Sequence, residues 1–184
     1  MPYLIGFIVI LLLIVFYVIK VRNSLVQLSN RVKESFSTMD VYLKKRWDLI
    51  PNLVESVKGY AKHEKETLEN IVKLRKVDNY DNMSSEDKLA TNEQLSKDIS
   101  KLLVVVENYP ELKANENFLE LKRELSKTEE DIANARKYYN AVVRNFNDKI
   151  QLFPSNIVAS IFNYKAEKMF ETADEERQNV KVEF

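Results

Sequence analysis

The sequence predicts an all-α protein headed by one membrane-spanning helix, and three observations carry that prediction. Turn-forming residues are scarce: the 184 residues include two glycines, Gly6 and Gly59, and four prolines. Sheets need many tight turns built on such residues, so strands are disfavoured throughout. The N-terminus is an uncharged apolar run. Beyond it, apolar residues recur at alternating steps of three and four, the spacing of helices that bury one stripe.

The apolar run comes first. Met1 to Ile19 has no ionisable side chain, and Leu4 to Phe16 is almost continuously aliphatic or aromatic. At 1.5 Å per residue, about 18 residues span roughly 27 Å, close to one hydrocarbon core. Tyr3 and Tyr17 stand near its two ends, where amphipathic rings favour the interface. A cleaved secretory signal would need a basic start and a small-x-small site. The start has neither Lys nor Arg, and Tyr17-Val18-Ile19-Lys20-Val21-Arg22 has no such pair, so residues 1–21 read as an uncleaved anchor. Residues 20–46 then hold seven bases against two acids. Positive charge resists translocation, which predicts an outside N-terminus and a cytoplasmic domain in the cell membrane.

The first helix of the domain follows without a breaker: Leu25, Leu28, Val32, Phe36, Met39, Leu43, Trp47 and Ile50 form one stripe. Pro51 leaves two readings open. It can open a new helix after a tight turn at Asp48–Asn52, since the residue before proline avoids the α region. It can equally sit in a kinked single helix, because Trp47, Ile50, Val54, Val57 and Ala61 keep the 3-4 phase across it. The second stretch, through Leu68 and Ile71, fades at the polar Asp78–Asn82. Ser84 or Ser85, followed by Glu86 and Asp87, resembles a helix N-cap. The third helix carries Leu95, Ile99, Leu102, Leu103 and Val106 and stops before Pro110.

The fourth helix has the clearest pattern, from Phe118, Leu121, Leu125 and Thr128 through Ile132, Ala135, Tyr139, Val142, Phe146 and Ile150 to Phe153. A period near 3.5 over about 39 residues predicts a helix of roughly 58 Å with coiled-coil packing. Pro154 ends it, and Ser155-Asn156 can cap a short last helix with Ile157, Val158, Ile161 and Phe162 as its apolar face. From Glu167 the tail has six acids and three bases and is expected to fray.

Chemistry-bearing patterns are hard to find. Cysteine is absent, which excludes disulfides, lipidated or catalytic thiols and Cys-ligated metal. The single histidine, in His63-Glu64-Lys65-Glu66-Thr67, begins like a zinc-protease motif but lacks the second histidine. Tyr60 stands three before it, so no Glu-x-x-His di-iron pair exists either. Two glycines cannot build phosphate-cradling or kinase nucleotide loops. Glu124, Glu129 and Glu130 interleave with Lys122, Arg123 and Lys127 as a solvated, ion-paired face. Lys44-Lys45-Arg46-Trp47 looks like a basic-aromatic nucleic-acid patch, yet Trp47 belongs to the apolar stripe, and 28 bases balance 28 acids. The expectation is no enzyme, no metal, no cofactor and no nucleic-acid partner.

Four segments resemble the LemA family of bacterial membrane proteins. They are Tyr42-Leu-Lys-Lys-Arg-Trp-Asp-Leu-Ile-Pro-Asn-Leu-Val-Glu-Ser-Val-Lys-Gly-Tyr-Ala-Lys-His-Glu-Lys-Glu-Thr-Leu-Glu69, Glu107-Asn-Tyr-Pro-Glu-Leu-Lys-Ala-Asn-Glu-Asn-Phe-Leu119, Glu124-Leu-Ser-Lys-Thr-Glu-Glu-Asp-Ile-Ala-Asn-Ala-Arg-Lys-Tyr-Tyr-Asn140 and Phe153-Pro-Ser-Asn156. The resemblance implies an anchor on an antiparallel, up-down-up-down four-helix bundle, which tilts Pro51 toward a turn. It implies no reaction; some relatives take part in building magnetosome membranes and others associate with membrane stress proteases. The expected organisation is an anchor over 1–21, a LemA-like bundle over 22–163 and a charged, flexible tail over 164–184.

Two functions follow as expectations: a single-pass membrane scaffold or adaptor, or a membrane-organising protein that self-associates through its helices. The expected partners are the lipid bilayer, unidentified membrane or cytoplasmic proteins, and a second copy of the chain. In the implied topology the turn at Asp48–Asn52 and the connection Glu107–Asn117 meet at the end far from the membrane. Lys44, Lys45, Asp48, Asn52, Glu107, Glu111 and Lys113 are therefore the candidate partner surface. Helix capping is the plainer role for the polar groups there. Ile157, Val158, Ile161 and Phe162 are the candidate membrane-interface face.

Overall fold

A computed structural model describes residues 2–60, 69, 72 and 80–170. Among the described residues the regular structure is helical throughout: α1 over Pro2–Lys58, α2 over Ser85–Val106, α3 over Pro110–Lys113, α4 over Glu116–Gln151 and α5 over Ser155–Ile161, with one 3-10 turn at Tyr80–Asn82. The chain divides into two compact units, Met1–Met39 with Asn134–Phe184, and Asp40–Ala133. Both α1 and α4 contribute residues to each unit.

Of the two readings left open at Pro51, the single helix holds, and the turn at Asp48–Asn52 toward which the family resemblance tilted does not occur. Pro51 lies inside α1, which continues to Lys58 and turns only at Gly59–Tyr60, where the Tyr60 N–H donates to the Val57 carbonyl at 3.0 Å. Pro51 has no N–H to offer the Trp47 carbonyl, a loss worth about 3 kcal/mol in a helix interior. Burial offsets it, because Trp47 and Ile50 before the proline and Leu53, Val54 and Val57 after it are all in the core. Each such side chain contributes about 1.5–3 kcal/mol on leaving water. The phase that runs unbroken through Pro51 was the stronger signal.

In the unit Asp40–Ala133, the α1 stripe meets Leu95, Ile99, Leu102 and Val106 of α2 and Phe118, Leu121, Leu125 and Ile132 of α4 as one set of buried residues. Positions bonded between α1 and α2 rise together, Asp40 with Lys88 and Arg46 with Asn92 and Ser96. Arg46 of α1 with Glu129 of α4, and Tyr60 just past α1 with Asn115 just before α4, run oppositely. Ser84 is the N-cap of α2: its hydroxyl accepts from the Asp87 N–H at 3.1 Å. Asn115 caps α4 in the same way, accepting from the Phe118 N–H at 3.1 Å.

In the other unit, Val21, Leu25, Val32 and Met39 of α1 are buried along with Tyr139, Val142, Val143 and Phe146 of α4 and Val158 and Ala159 of α5. Phe36 meets the edge of Tyr139 at 6.1 Å. Tyr3–Ile19, by contrast, is exposed along its large apolar side chains. The α4 stripe holds as far as Phe146, but Phe153 lies beyond the helix end and is among the most exposed side chains of the unit.

Pro154, not Ser155-Asn156, occupies the N-cap of α5, and the Ser155 hydroxyl donates to the Leu152 carbonyl at 2.9 Å. At the other end Asn163 takes a left-handed φ of 55°, with its N–H on the Ser160 carbonyl and the Tyr164 N–H on the Ala159 carbonyl. This is the paired cap that usually employs glycine, and Asn is the residue that next best tolerates the conformation. It turns residues 164–170 back along α4. That stretch, expected to belong to a flexible tail, is pinned; residues 171–184 lie outside the described residues.

Candidate functional site

The seven residues of the expected partner surface fall in two groups, one on α1 and one at the connection before α4. Lys44 and Asp48 pair with each other at 3.0 Å, one helical turn apart on α1, and Lys45 and Asn52 are exposed on the same helix. Glu107 pairs with Lys113 and lies 3.8 Å from Lys122, and Glu111 is exposed on α3. The Lys113 ammonium, by hydrogen bond and then by charge, holds the Glu107 carboxyl below the usual carboxylate range. What neighbours this connection is Tyr60, in the turn that follows α1, whose hydroxyl accepts from the Asn115 amide at 3.2 Å. Asp48–Asn52 lies further back along a helix that does not turn there. Asn115 is thus occupied as a cap, the structural role weighed against binding.

A buried polar network was not foreseen. Arg46, read as part of a surface basic run, is 0% exposed. Its guanidinium donates to the Ser96 hydroxyl at 2.6 Å, the Glu129 carboxylate at 2.7 Å, and both the carbonyl and side-chain oxygen of Asn92 at 2.8 Å. The Asn92 amide donates on to the Lys88 carbonyl and the Tyr80 hydroxyl. Tyr80 donates to Asp40 at 3.0 Å, and Lys88 pairs with Asp40 at 2.6 Å. Burial, and then the Asp40 charge, push the Tyr80 hydroxyl above the usual tyrosine range. Spacing could have found this network. Leu43, Arg46, Ile50, Leu53 and Val57 step 3, 4, 3, 4, while Lys88 and Asn92 extend the Leu95–Ile99 stripe backward by 3 and 4. Every charge here has a partner, so the arrangement organises the core rather than offering a ligand a vacancy.

The expected membrane face is divided. Val158 is 2% exposed and packs inward with Ser155 and Ala159. Ile157, Ile161 and Phe162 are exposed, and Leu152 and Phe153, not expected there, join them at 63% and 79% exposure. The Arg22 guanidinium lies over the Phe162 ring at 4.9 Å.

Residues 164–170 are read by two asparagine clamps one heptad apart on α4. Asn147 accepts from the Glu167 N–H at 2.9 Å and donates to the Glu167 carbonyl at 2.8 Å; Asn140 does the same for Phe170 at 2.8 and 2.9 Å. The Phe170 ring meets the edge of Tyr139 at 5.5 Å, and the Tyr139 hydroxyl donates to the Lys168 carbonyl at 3.2 Å. Burial, and then Glu167, raise the Tyr139 hydroxyl above its usual range.

Among the described residues, no group of three or more His, Asp or Glu is placed to hold a metal ion. His63, with Ala61, Leu68 and Ile71, lies outside them.

A family model and one of the relatives name the same family. A family model described as the LemA family matches residues 35–184. Protein LemA of Metamycoplasma hominis is 28% identical over 169 residues, covering 90% of this chain and 77% of that protein. Magnetosome proteins MamQ 1 and MamQ 2 of Paramagnetospirillum magneticum are each 30% identical over 73 residues, 40% of this chain but 27% of theirs. With the family model covering most of its length, the chain belongs to the LemA family.

Proposed function

We propose that this protein is a single-pass membrane scaffold or adaptor without catalytic activity, its helical domain in the cytoplasm and its surface offered to other proteins. The observation that carries the reading is the continuity of α1. The apolar stretch, long enough to cross a bilayer, and the packed residues from Val21 to Met39 belong to one helix with no linker between them. A flexible tether suits an enzyme that searches for substrate, whereas an unbroken helix holds a binding surface in a set relation to the membrane. The finer topology we propose is an antiparallel four-helix bundle with coiled-coil-like packing. It is supported by the pairings that rise between α1 and α2 and fall between α1 and α4, flanking residues included.

Orientation is tested by Ser37→Cys, an exposed position, in this cysteine-free chain. Labelling by an impermeant thiol reagent only after permeabilisation is expected; labelling of intact cells would place the domain outside. Partners are tested by crosslinking in membranes and mass spectrometry, with Lys44, Lys45 and Glu111 charge-reversed together. Lys45 and Glu111 are exposed and Lys44 is half-exposed, so each alters stability by roughly a few tenths of a kcal/mol. Loss of most crosslinked partners at normal protein level is expected, and an unchanged partner list would remove these residues from the binding surface. The second reading, a membrane-organising protein that self-associates, is favoured by the exposed apolar residues around α5. Deformation of liposomes by the purified protein would select it.

A further inference from the structure

We infer that the ridge formed by Leu152, Phe153, Ile157, Ile161 and Phe162 lies in the headgroup–acyl boundary of the bilayer that α1 crosses, giving the protein a second membrane contact. The inference rests on the anchor reading above. Five large apolar side chains, all at least 40% exposed, stand within eleven consecutive residues. Soluble surfaces seldom carry such a contiguous patch without a partner. Ile157 and Ile161 are one turn apart on one face of α5, while Ser155, Val158 and Ala159 are buried on the other. The helix therefore satisfies its packing with one side and leaves the other unspent.

What covers that side follows from where it sits. Arg22 touches Phe162, and Arg22 is three residues beyond Ile19, the last of the uncharged run. Three residues of helix advance about 4.5 Å, so this end of α5 is within one turn of the point where α1 leaves the hydrocarbon. Charge agrees: residues 149–166 contain no acid and two bases, Lys149 and Lys165. Asp148 and Glu167 stand just outside this stretch, so the segment is neutral with its borders, and an apolar face free of acids within suits the interfacial layer of a membrane. A second copy of the chain could also cover the ridge. The adjoining apolar surface, Tyr3–Ile19, already requires lipid, and a lipid boundary covers both continuously.

The test uses the full chain, one copy per nanodisc of phosphatidylethanolamine and phosphatidylglycerol, some of the lipid carrying a nitroxide near the glycerol. Bimane is placed singly at Ile14→Cys, Ile157→Cys, Phe153→Cys and Lys137→Cys, with helical content checked for each. Ile157 and Phe153 should be quenched by the labelled lipid and shielded from aqueous iodide, and Lys137 should show the reverse. Quenching at Ile14 but not at Ile157 or Phe153 would overturn the ridge while leaving the anchor intact. Absence of quenching at Ile14 would overturn the anchor, and the ridge with it. Shielding of Ile157 from both iodide and lipid would also overturn the inference, showing a cover made of protein.

Discussion

Arg46→Met, set beside Lys45→Met, asks whether two neighbouring bases differ as sharply as the structure says. Lys45 is exposed, and its loss should change stability by no more than about 0.5 kcal/mol. Arg46 is buried with four hydrogen bonds. Counting each at the roughly 1.5–3 kcal/mol typical of a charged partner would overshoot, because most acceptors find another donor. The Ser96 hydroxyl still donates to the Asn92 carbonyl at 3.1 Å, and the Glu129 side chain, 40% exposed, rehydrates. The Asn92 side-chain oxygen is left stranded, at about 1–3 kcal/mol. Some cost is recovered, since methionine removes both a buried charge and the buried Arg46 Nε, which has no hydrogen-bond partner. The expected net loss is about 1–2 kcal/mol. Urea unfolding of the full chain in detergent micelles measures it, followed by helical circular dichroism and by Trp47, the one tryptophan, which stacks 5.3 Å from Tyr80. Arg46→Met with Asn92→Leu should lose less than the sum of the two single changes. Equal, small effects of Lys45→Met and Arg46→Met would refute the buried network.

Further outcomes follow from the same geometry. Pro51→Ala should stabilise the protein by about 1–2 kcal/mol, by restoring a helix hydrogen bond against some gain in unfolded-chain freedom; destabilisation on the same urea axis would bring back a turn at Asp48–Asn52. Because the folded state holds the Tyr80 proton more tightly than the unfolded chain does, its contribution is fully present below the ordinary tyrosine value of about 10. That contribution is lost as pH rises toward the raised one. Unfolding curves should weaken with alkali in the wild type and more shallowly in Tyr80→Phe, and parallel curves would refute this. Asn140→Ala with Asn147→Ala should free residues 164–170, with amide exchange at Glu167 and Phe170 faster by about tenfold or more, since each clamp bond contributes about 1 kcal/mol net. Unchanged exchange would mean that Phe170 against Tyr139 holds the segment alone.

Local signals in the chain were enough for its class, its apolar head and most of its stripes. Those features depend on one residue type or one period, and burial pulls the same way at every repeat: Leu95 through Val106 and Phe118 through Phe146 all behave as their spacing predicts, with Leu103, Ala135 and similar flank positions only half-covered. Ser84, with acids after it, was also legible, because a cap is satisfied within one turn. The misreadings came where two local rules competed or a distant partner decided. At Pro51 a proline rule opposed a heptad phase, and only the summed burial of Leu53, Val54 and Val57 could say which prevailed. Arg46 looks like Lys45 until Asn92, Ser96 and Glu129, 46 to 83 residues away, supply its acceptors. Val158 and Ile157 are equally apolar neighbours, yet one is buried and the other exposed. The tail from Tyr164 is charged enough to read as free, but Asn147 and Asn140 capture its backbone, which no side-chain pattern in the tail announces. Periodicity reports which residues share a helix face; what that face meets depends on chain segments far away in sequence, and that is decided only when the helices pack.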